Sequence, residues 1–517
     1  MLNNDNMDIM KIYDNNDIDE NNSVNENILI DIDISLNTSS SFFEKVNYFK
    51  NDLLDHLKVY LKYNNNMDVI YYLNEEILEF IDLFNNEYSL CIAEENYYSL
   101  LFNNIHEMLL ILLERCNYNY NENNENYISW IINDIFEEAL SYYHVYMYPK
   151  RSYKNTFIRK KPNIESIDKK LDIIRNIPQP EQRTSEWFQF RNTLISASSA
   201  WKTFSSEAVR NQLIYEKCKP YQDRSNSYVN TDSTLHWGQK YEPLSVMIYE
   251  NKYNTIIEDF GCIKHRDYNF VGASPDGINI SRESERYGRM LEIKNIVNRD
   301  ITKIPKKEYW IQMQLQMEVC DLNECDFLET KFTEYKDKEN FIQDGTFNLT
   351  NDNKKKGIIL QFNNNSNPLY EYAPIDIDKE NYNVWYENQI QKHYDKQLIK
   401  TLYWKLDIYS CILVLRNKHW FKSAVYELEN IWNIILKEKN NGYEHRAPKK
   451  KNKKECVCLI KIPSNNTTNI TDTTNSINTT NTIINSDNNI NNGKIIKIRS
   501  ESIDETINDI EINKIIN

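Results

Sequence analysis

The sequence predicts a mixed α/β (α+β) core, preceded by an α-helical region and followed by further helices and a disordered tail. Three observations predict this. Between residues 238 and 332 the apolar pattern runs helix, strands, helix, strand, which suits a mixed sheet flanked by helices. Between 41 and 148 apolar residues recur at helical spacing alone. From Ser464 to Asn492 the chain is Asn/Thr low complexity, too poor in apolar side chains to fold.

Taken in order, residues 1–40 form an acidic arm with nine acids and one base, Lys11, a local charge of −8. The arm lacks the apolar density to fold. Residues 41–150 read as a helical domain. Phe42, Phe43, Val46, Phe49, Leu53, Leu54 and Leu57 share one period, as do Ile70, Leu73, Ile77, Leu78, Phe80, Ile81, Leu83 and Phe84. Two more stretches, 97–115 and 127–147, follow the same period, giving about four helices and a bundle. Residues 151–179 read as a basic linker.

The core is expected over 180–375. Gly238–Glu250 is helical in period, and Ile256–Phe260 and Cys262–His265 alternate like strands. Asn269–Ala273 leads into a Pro-Asp-Gly turn, in which Pro275 presets the bend and Gly277 permits positive φ. Ile278–Ile280 and Arg289–Lys294 read as a strand pair, Glu308–Val319 as a helix and Cys325–Phe332 as a strand. Gly357–Phe362 and Leu369–Ala373 add two strands. Residues 376–445 read as C-terminal helices, and 446–517 as a basic, then Asn/Thr-rich tail.

Composition sets limits on these readings. A chain of 517 residues holds two or three domains with cores of their own. It has 9 glycines where roughly 35 are usual, and five of them (Gly238, Gly261, Gly272, Gly277, Gly288) fall within one stretch that must need unusual torsions or close backbone approach. The net charge of −15 argues weakly against nucleic-acid binding, but two basic runs, Lys150–Lys161 and Lys449–Lys454, stand apart from the acids. The nine cysteines include no CxxC pair and no Cys/His zinc spacing; Cys456 and Cys458 form an isolated CxC. No signal sequence and no membrane-length apolar run is visible, so the expectation is a soluble intracellular protein of a reducing compartment.

The chemistry concentrates in three segments: Ser274-Pro275-Asp276-Gly277, Glu292-Ile293-Lys294, and Gln312-Met313-Gln314. Side chains alternate along a strand, so Glu292 and Lys294 point to one face and Ile293 to the other. Two carboxylates and an amine at one spot can hold Mg²⁺ and steady the water it activates, a common route to phosphodiester cleavage. Taken singly, Asp276 also suits an ordinary turn, and Glu292 an exposed strand position paired with Lys294.

Further motifs extend the set. Arg183-Thr184-x-Glu186-Trp187-x-x-x-Arg191, Ile195-x-Ala197-Ser198 and Trp237-Gly238-x-x-x-Glu242-Pro243 precede the three segments. In this order the six motifs resemble the YqaJ-type viral recombinase family, kin of the phage lambda exonuclease among the PD-(D/E)XK nucleases. The resemblance covers roughly 180–335 and, more weakly, strands to about residue 375. It implies a restriction-endonuclease-like core and a metal-dependent DNA nuclease, most simply a 5′→3′ exonuclease on duplex DNA ends in viral recombination or repair.

Residue by residue, the resemblance implies Asp276, Glu292 and Glu242 as ligands of Mg²⁺ or Mn²⁺. It implies Lys294 and Gln312 as the groups holding the attacking water, with Gln314 and Gln316 leaving the register of that glutamine open. Arg191, Ser198 and Ser274 match a pocket for a 5′-terminal phosphate. Ser198 also suits an N-cap for a helix starting at Ser199. The implied partners are DNA ends, a single-strand annealing protein and further copies of the chain, with no membrane; the implied setting is the host cytoplasm or a viral replication compartment. A structure-specific endonuclease, an inactive DNA-end-binding scaffold and a purely structural protein are the competing readings.

Overall fold

The protein is described here by a computed structural model covering residues 67–115, 122–182, 184–220, 230–364 and 367–448. The acidic arm, residues 41–66 of the helical region, Arg183, the Lys449–Lys454 run, Cys456, Cys458 and the Asn/Thr-rich tail lie outside the described residues.

The helical region begins with α1 (Met67–Glu87), a 3₁₀ turn (Ser89–Ala93), α2 (Tyr97–Arg115) and α3 (Glu122–Tyr146). These do not form a separate bundle. One apolar core runs from Ile81, Tyr97 and Phe136 through to Trp310 and Trp420, and the described residues up to Ala447 form one compact unit. The stretch expected to be a linker is also built in. Tyr153 pairs with Leu413, and Ile164–Arg175 form α4, capped by the Asn163 side chain accepting from the Ser166 amide at 3.0 Å.

The chain continues through α5 (Ser185–Asn192), β1 (Ile195–Ser196), the single turn α6 (Ala197–Ala200), α7 (Glu207–Cys218) and α8 (Thr234–Tyr253). Short strands β2 (Ile257–Glu258), β3 (Ile263–Lys264), β4 (Val271–Ala273) and β5 (Gly277–Asn279) lead to β6 (Met290–Asn295). Helix α9 (Lys307–Cys320) connects β6 to β7 (Glu324–Glu334), which lie parallel with Glu292 opposite Phe327 and Lys294 opposite Glu329. Such a helical crossover is what parallel neighbours require. Then follow α10 (Lys338–Gln343), β8 (Lys356–Asn364), β9 (Asn367–Tyr372), α11 (Lys379–Lys392), β10 (Leu398–Leu415) and α12 (Lys418–Asn441).

The strands form two sheets, a mixed seven-stranded one in the order β2-β5-β6-β7-β10-β8-β9 and a three-stranded one in the order β1-β4-β3. The α/β class expected from the sequence is therefore the class observed. One expectation for it fails. Residues 398–415, expected to be helical, form the longest strand among the described residues, inserted between β7 and β8. Leu402, Trp404 and Leu406 alternate toward one buried face, a strand period hidden among aromatic residues that also fit a helix. The sheet thus extends well past residue 375.

Gly277 corrects a second expectation. Its φ is not positive. A Cβ there would stand 2.1 Å from Ile257 Cγ2, so the residue must be glycine because β2 packs against it.

Among the described residues, no helix is long and apolar enough to cross a membrane.

Candidate active site

Asp276 sits where the chain passes from β4 in the small sheet to β5 in the large one. Its Oδ2 accepts from the Ile293 amide at 2.7 Å, which fixes the bend beside the middle of β6. Gly277 pairs with Leu291, so Asp276 and Glu292 are brought to one end of the same strand pair.

Glu292 is not an exposed strand residue: its relative accessibility is 0%. One carboxylate oxygen is ion-paired to Lys294 Nζ. The other accepts from Gln316 Nε2 at 2.7 Å. The ion pair that the blander reading allowed is thus present, but it is buried and lies beside a second carboxyl. Lys294 also reaches Gln312 Oε1 at 3.5 Å, and its ammonium stands 5.0 Å from the Tyr309 ring.

The glutamine register, open in the sequence, follows from helix geometry. Gln312 and Gln316 are four residues apart on α9 and share the face toward β6. Gln316 also donates to the Ser274 carbonyl at 3.2 Å, linking the Pro-Asp-Gly segment to Glu292. Gln314 points elsewhere. Its Nε2 donates to the Leu415 carbonyl at 2.9 Å and its Oε1 accepts from the Asn417 amide at 2.7 Å, so it ties α9 to the start of α12.

Helix α8 carries Glu242. Asn295, the residue after Lys294, anchors that helix: its Oδ1 accepts from Ser245 Oγ at 2.7 Å and its Nδ2 donates to the Gly238 carbonyl at 3.0 Å. Glu242 lies between these two anchors, near enough for its charge to act on Asp276.

Burial and the Glu292 carboxylate push the Asp276 carboxyl well above the ordinary carboxylate range. Lys294 pulls it back, Glu242 pushes it further up, and the Ile293 amide pulls it down. Burial lowers the Lys294 ammonium, but the Glu292 and Asp276 carboxylates more than reverse this and leave it raised.

Two carboxyls thus share one ammonium, and the charge of a third, Glu242, acts on Asp276. Hard oxygen donors in excess negative charge suit a divalent cation, whose charge relieves the repulsion that raises Asp276. Among the described residues, no group of three or more His, Cys, Asp or Glu stands as a ready-made metal cage. Both oxygens of Glu292 are engaged by Lys294 and Gln316, and these contacts would have to loosen for Glu292 to ligate.

The expected phosphate pocket lies one strand away. Arg191, near the end of α5, stacks on Trp187 with its guanidinium carbon 4.4 Å from the ring. Its NH2 donates to Ser198 Oγ at 3.3 Å. Burial lowers the guanidinium from its ordinary value. Ser196 pairs with Gly272, which places this pocket directly beside the strand that delivers Ser274 and Asp276. Ser198 is not the N-cap. That position belongs to Ser196, and Ser198 stands exposed within α6. Ser274 joins the catalytic side through its carbonyl bond to Gln316.

Residues 186–323 match the model of the YqaJ-like viral recombinase domain, which bears out the resemblance drawn from the motifs. An uncharacterized protein of Acanthamoeba polyphaga mimivirus is 28% identical over 341 residues, 58% of this chain and 59% of the relative. The chain thus spans about three fifths of that relative's length. Among solved structures, an alkaline exonuclease from Laribacter hongkongensis matches 51% of this chain and 95% of its own at 18% identity and a TM-score of 0.28. The same exonuclease in complex with dAMP matches over the same shares at 19% identity and a TM-score of 0.28.

Proposed function

We propose that the chain is a metal-dependent DNA nuclease that degrades duplex DNA from its ends in the 5′→3′ direction, serving viral recombination or repair. The observation that carries this reading is the buried meeting of Asp276, Glu292 and Lys294 under the paired glutamines of α9. Asp276 and Glu292 would hold Mg²⁺ or Mn²⁺, with Glu242 completing the acidic side. When bound, the cation supplies a more acidic water and a Lewis-acid contact for the phosphate.

The chain's own groups do the rest. Lys294, held charged by its carboxylate neighbours, orients the attacking water and offsets negative charge developing on phosphorus. Gln312 accepts from Lys294 through Oε1, which leaves its amide nitrogen as the donor toward a water or phosphate oxygen. Gln316 fixes Glu292 and Ser274 in relation to each other. Arg191 and Ser198 select a terminal phosphate by charge-assisted hydrogen bonds. Contacts to phosphate and sugar carry no base preference. A single-strand annealing partner, assembly with further copies, and action in the host cytoplasm or a viral replication compartment rest on the family resemblance alone.

Linear duplex labelled at either the 5′ or the 3′ end, with and without a 5′-phosphate, tests the reading. Metal-dependent release of the 5′ label, fastest from phosphorylated ends and lost in Lys294→Ala, is expected. Cleavage of closed circles would shift the assignment to an endonuclease. Binding of ends without cleavage at any divalent metal would make the chain a scaffold.

A further inference from the structure

We infer that the helical region ahead of the core is a positioning device for the active site: Glu94, Glu95 and Arg151 hold the first turn of α9 and so set where Gln312 and Gln316 point. The inference rests on the role proposed above for those glutamines.

Helix α9 starts badly by its own sequence. Its N-cap position is Lys306, which makes no side-chain capping bond, and its first residue is Lys307. Glu308 supplies one acid to the first turn, but the two positions ahead of it are lysines where an acidic or hydroxyl cap is favoured. The missing acceptors come from far upstream. Glu95 Oε1 accepts from the Lys307 backbone amide at 3.4 Å, and Glu94 is ion-paired to Lys307 Nζ. The same ammonium donates to the Phe204 carbonyl at 2.9 Å.

Arg151 makes the second hold, and it is 3% exposed. Its NH2 donates both to the Ala93 carbonyl at 3.0 Å and to the Pro305 carbonyl at 2.6 Å. Its own carbonyl accepts from Trp310 Nε1 at 2.7 Å. One buried guanidinium thus joins the Ser89–Ala93 turn to the loop that feeds α9, while its backbone grips the helix one turn later.

The Glu94, Glu95 and Arg151 contacts meet at this one helix end, whereas the helical region's bonds to α12 run through Ser89, Asn85 and Tyr148. Gln312 follows Lys307 by five residues and Gln316 by nine, so both ride on the same rigid rod at about 1.5 Å per residue. A displacement of roughly 1 Å at a positioning group costs about a hundredfold in rate. The hold is therefore expected to appear in turnover more than in DNA binding.

The test uses the full chain as Glu94→Lys, Lys307→Glu and the double swap, with Glu94→Gln as a milder variant if Glu94→Lys fails to fold. Hydrogen exchange of residues 305–320 is measured alongside kcat and KM on 5′-phosphorylated linear duplex with Mg²⁺. Faster exchange confined to the start of α9, with α12 unchanged, is expected in Glu94→Lys. A fall in kcat of about tenfold at constant KM, largely restored by the swap, should accompany it. Unchanged exchange at 307–312, or no rescue by the swap, overturns the inference. If exchange responds and is rescued but the wild-type chain never cleaves DNA, the hold on α9 stands and the nuclease reading falls.

Discussion

Strands β6 and β7 carry two buried charge clusters on opposite faces of the sheet, and they are built differently. On one face Asp326, fully buried, accepts from Arg289 at 3.1 Å, Arg286 at 2.6 Å, Thr156 at 2.6 Å and Tyr249 at 2.7 Å. Arg289 also pairs with Glu324 at 2.7 Å. Two guanidiniums meet two carboxylates there, and every oxygen of Asp326 is served. On the other face Asp276 and Glu292 share the single ammonium of Lys294, and burial, Glu292 and the nearby Glu242 charge push Asp276 up. A buried cluster whose charges cancel holds a fold together, whereas one left with excess charge is poised to receive something. The first cluster also fastens the 151–157 segment to the sheet through Thr156 and the Phe157 carbonyl, which is why that stretch is not a linker.

Substitutions should separate the two clusters, and the largest effect belongs to the unbalanced one. Lys294→Ala is expected to cut the cleavage rate by at least about a thousandfold while the chain still folds, because it removes the group proposed to act as charge develops. Single-turnover digestion and circular dichroism measure the two properties together. Asp326→Asn should do the reverse. It strands Arg286 and Arg289 without their shared carboxylate and should cost about 3–5 kcal/mol of stability by urea denaturation. Equal effects of both substitutions on stability would erase the distinction drawn here.

The two inner glutamines refine it. Gln316→Ala should lower the rate by about tenfold through the loss of its bonds to Glu292 and Ser274. Gln314→Ala should instead destabilise by about 1–3 kcal/mol, because it leaves the buried Leu415 carbonyl and Asn417 amide unpaired. Arg191→Lys keeps the charge but loses the planar fork, and should reduce the preference for phosphorylated over unphosphorylated 5′ ends by about tenfold. Comparison of initial rates on the two substrates measures this.

What the sequence made legible follows from the same contrast. Asp276, Glu292 and Lys294 were readable because turn chemistry and strand alternation are local rules. Gln312, Gln314 and Gln316 are alike in sequence because a stretch reading Gln-x-Gln-x-Gln has no local feature to set its face; only the packing of α9 against β6 and α12 does. Strand β10 was missed because Tyr403, Trp404, Tyr409 and their neighbours suit either period, and its pairing with β7 and β8 is a long-range event. The charge network of Arg286 and Arg289 leaves no local sign, since its partners lie at Thr156 and Asp326. Local rules thus exposed the cluster proposed to do chemistry and hid the one that holds the fold, whose partners are remote in sequence.

The smallest effect is the most direct measure of the imbalance. A carboxyl raised above its unfolded value binds its proton more tightly in the folded chain, so it favours the fold while protonated. That contribution is present below the ordinary carboxylate range and is lost as pH rises toward the raised value of Asp276. Without metal, the chain should therefore lose stability across this window, and Asp276→Asn, which cannot ionise, should lose less. Melting of both chains in EDTA at pH 5 and pH 8 checks this, with the mutant relatively more stable at the higher pH. Added Mg²⁺ should reverse the order at pH 8, since a cation favours the ionised carboxylate that the empty site disfavours. If Mg²⁺ stabilised the wild type and Asp276→Asn equally, the excess charge on this face would have no cation to answer it.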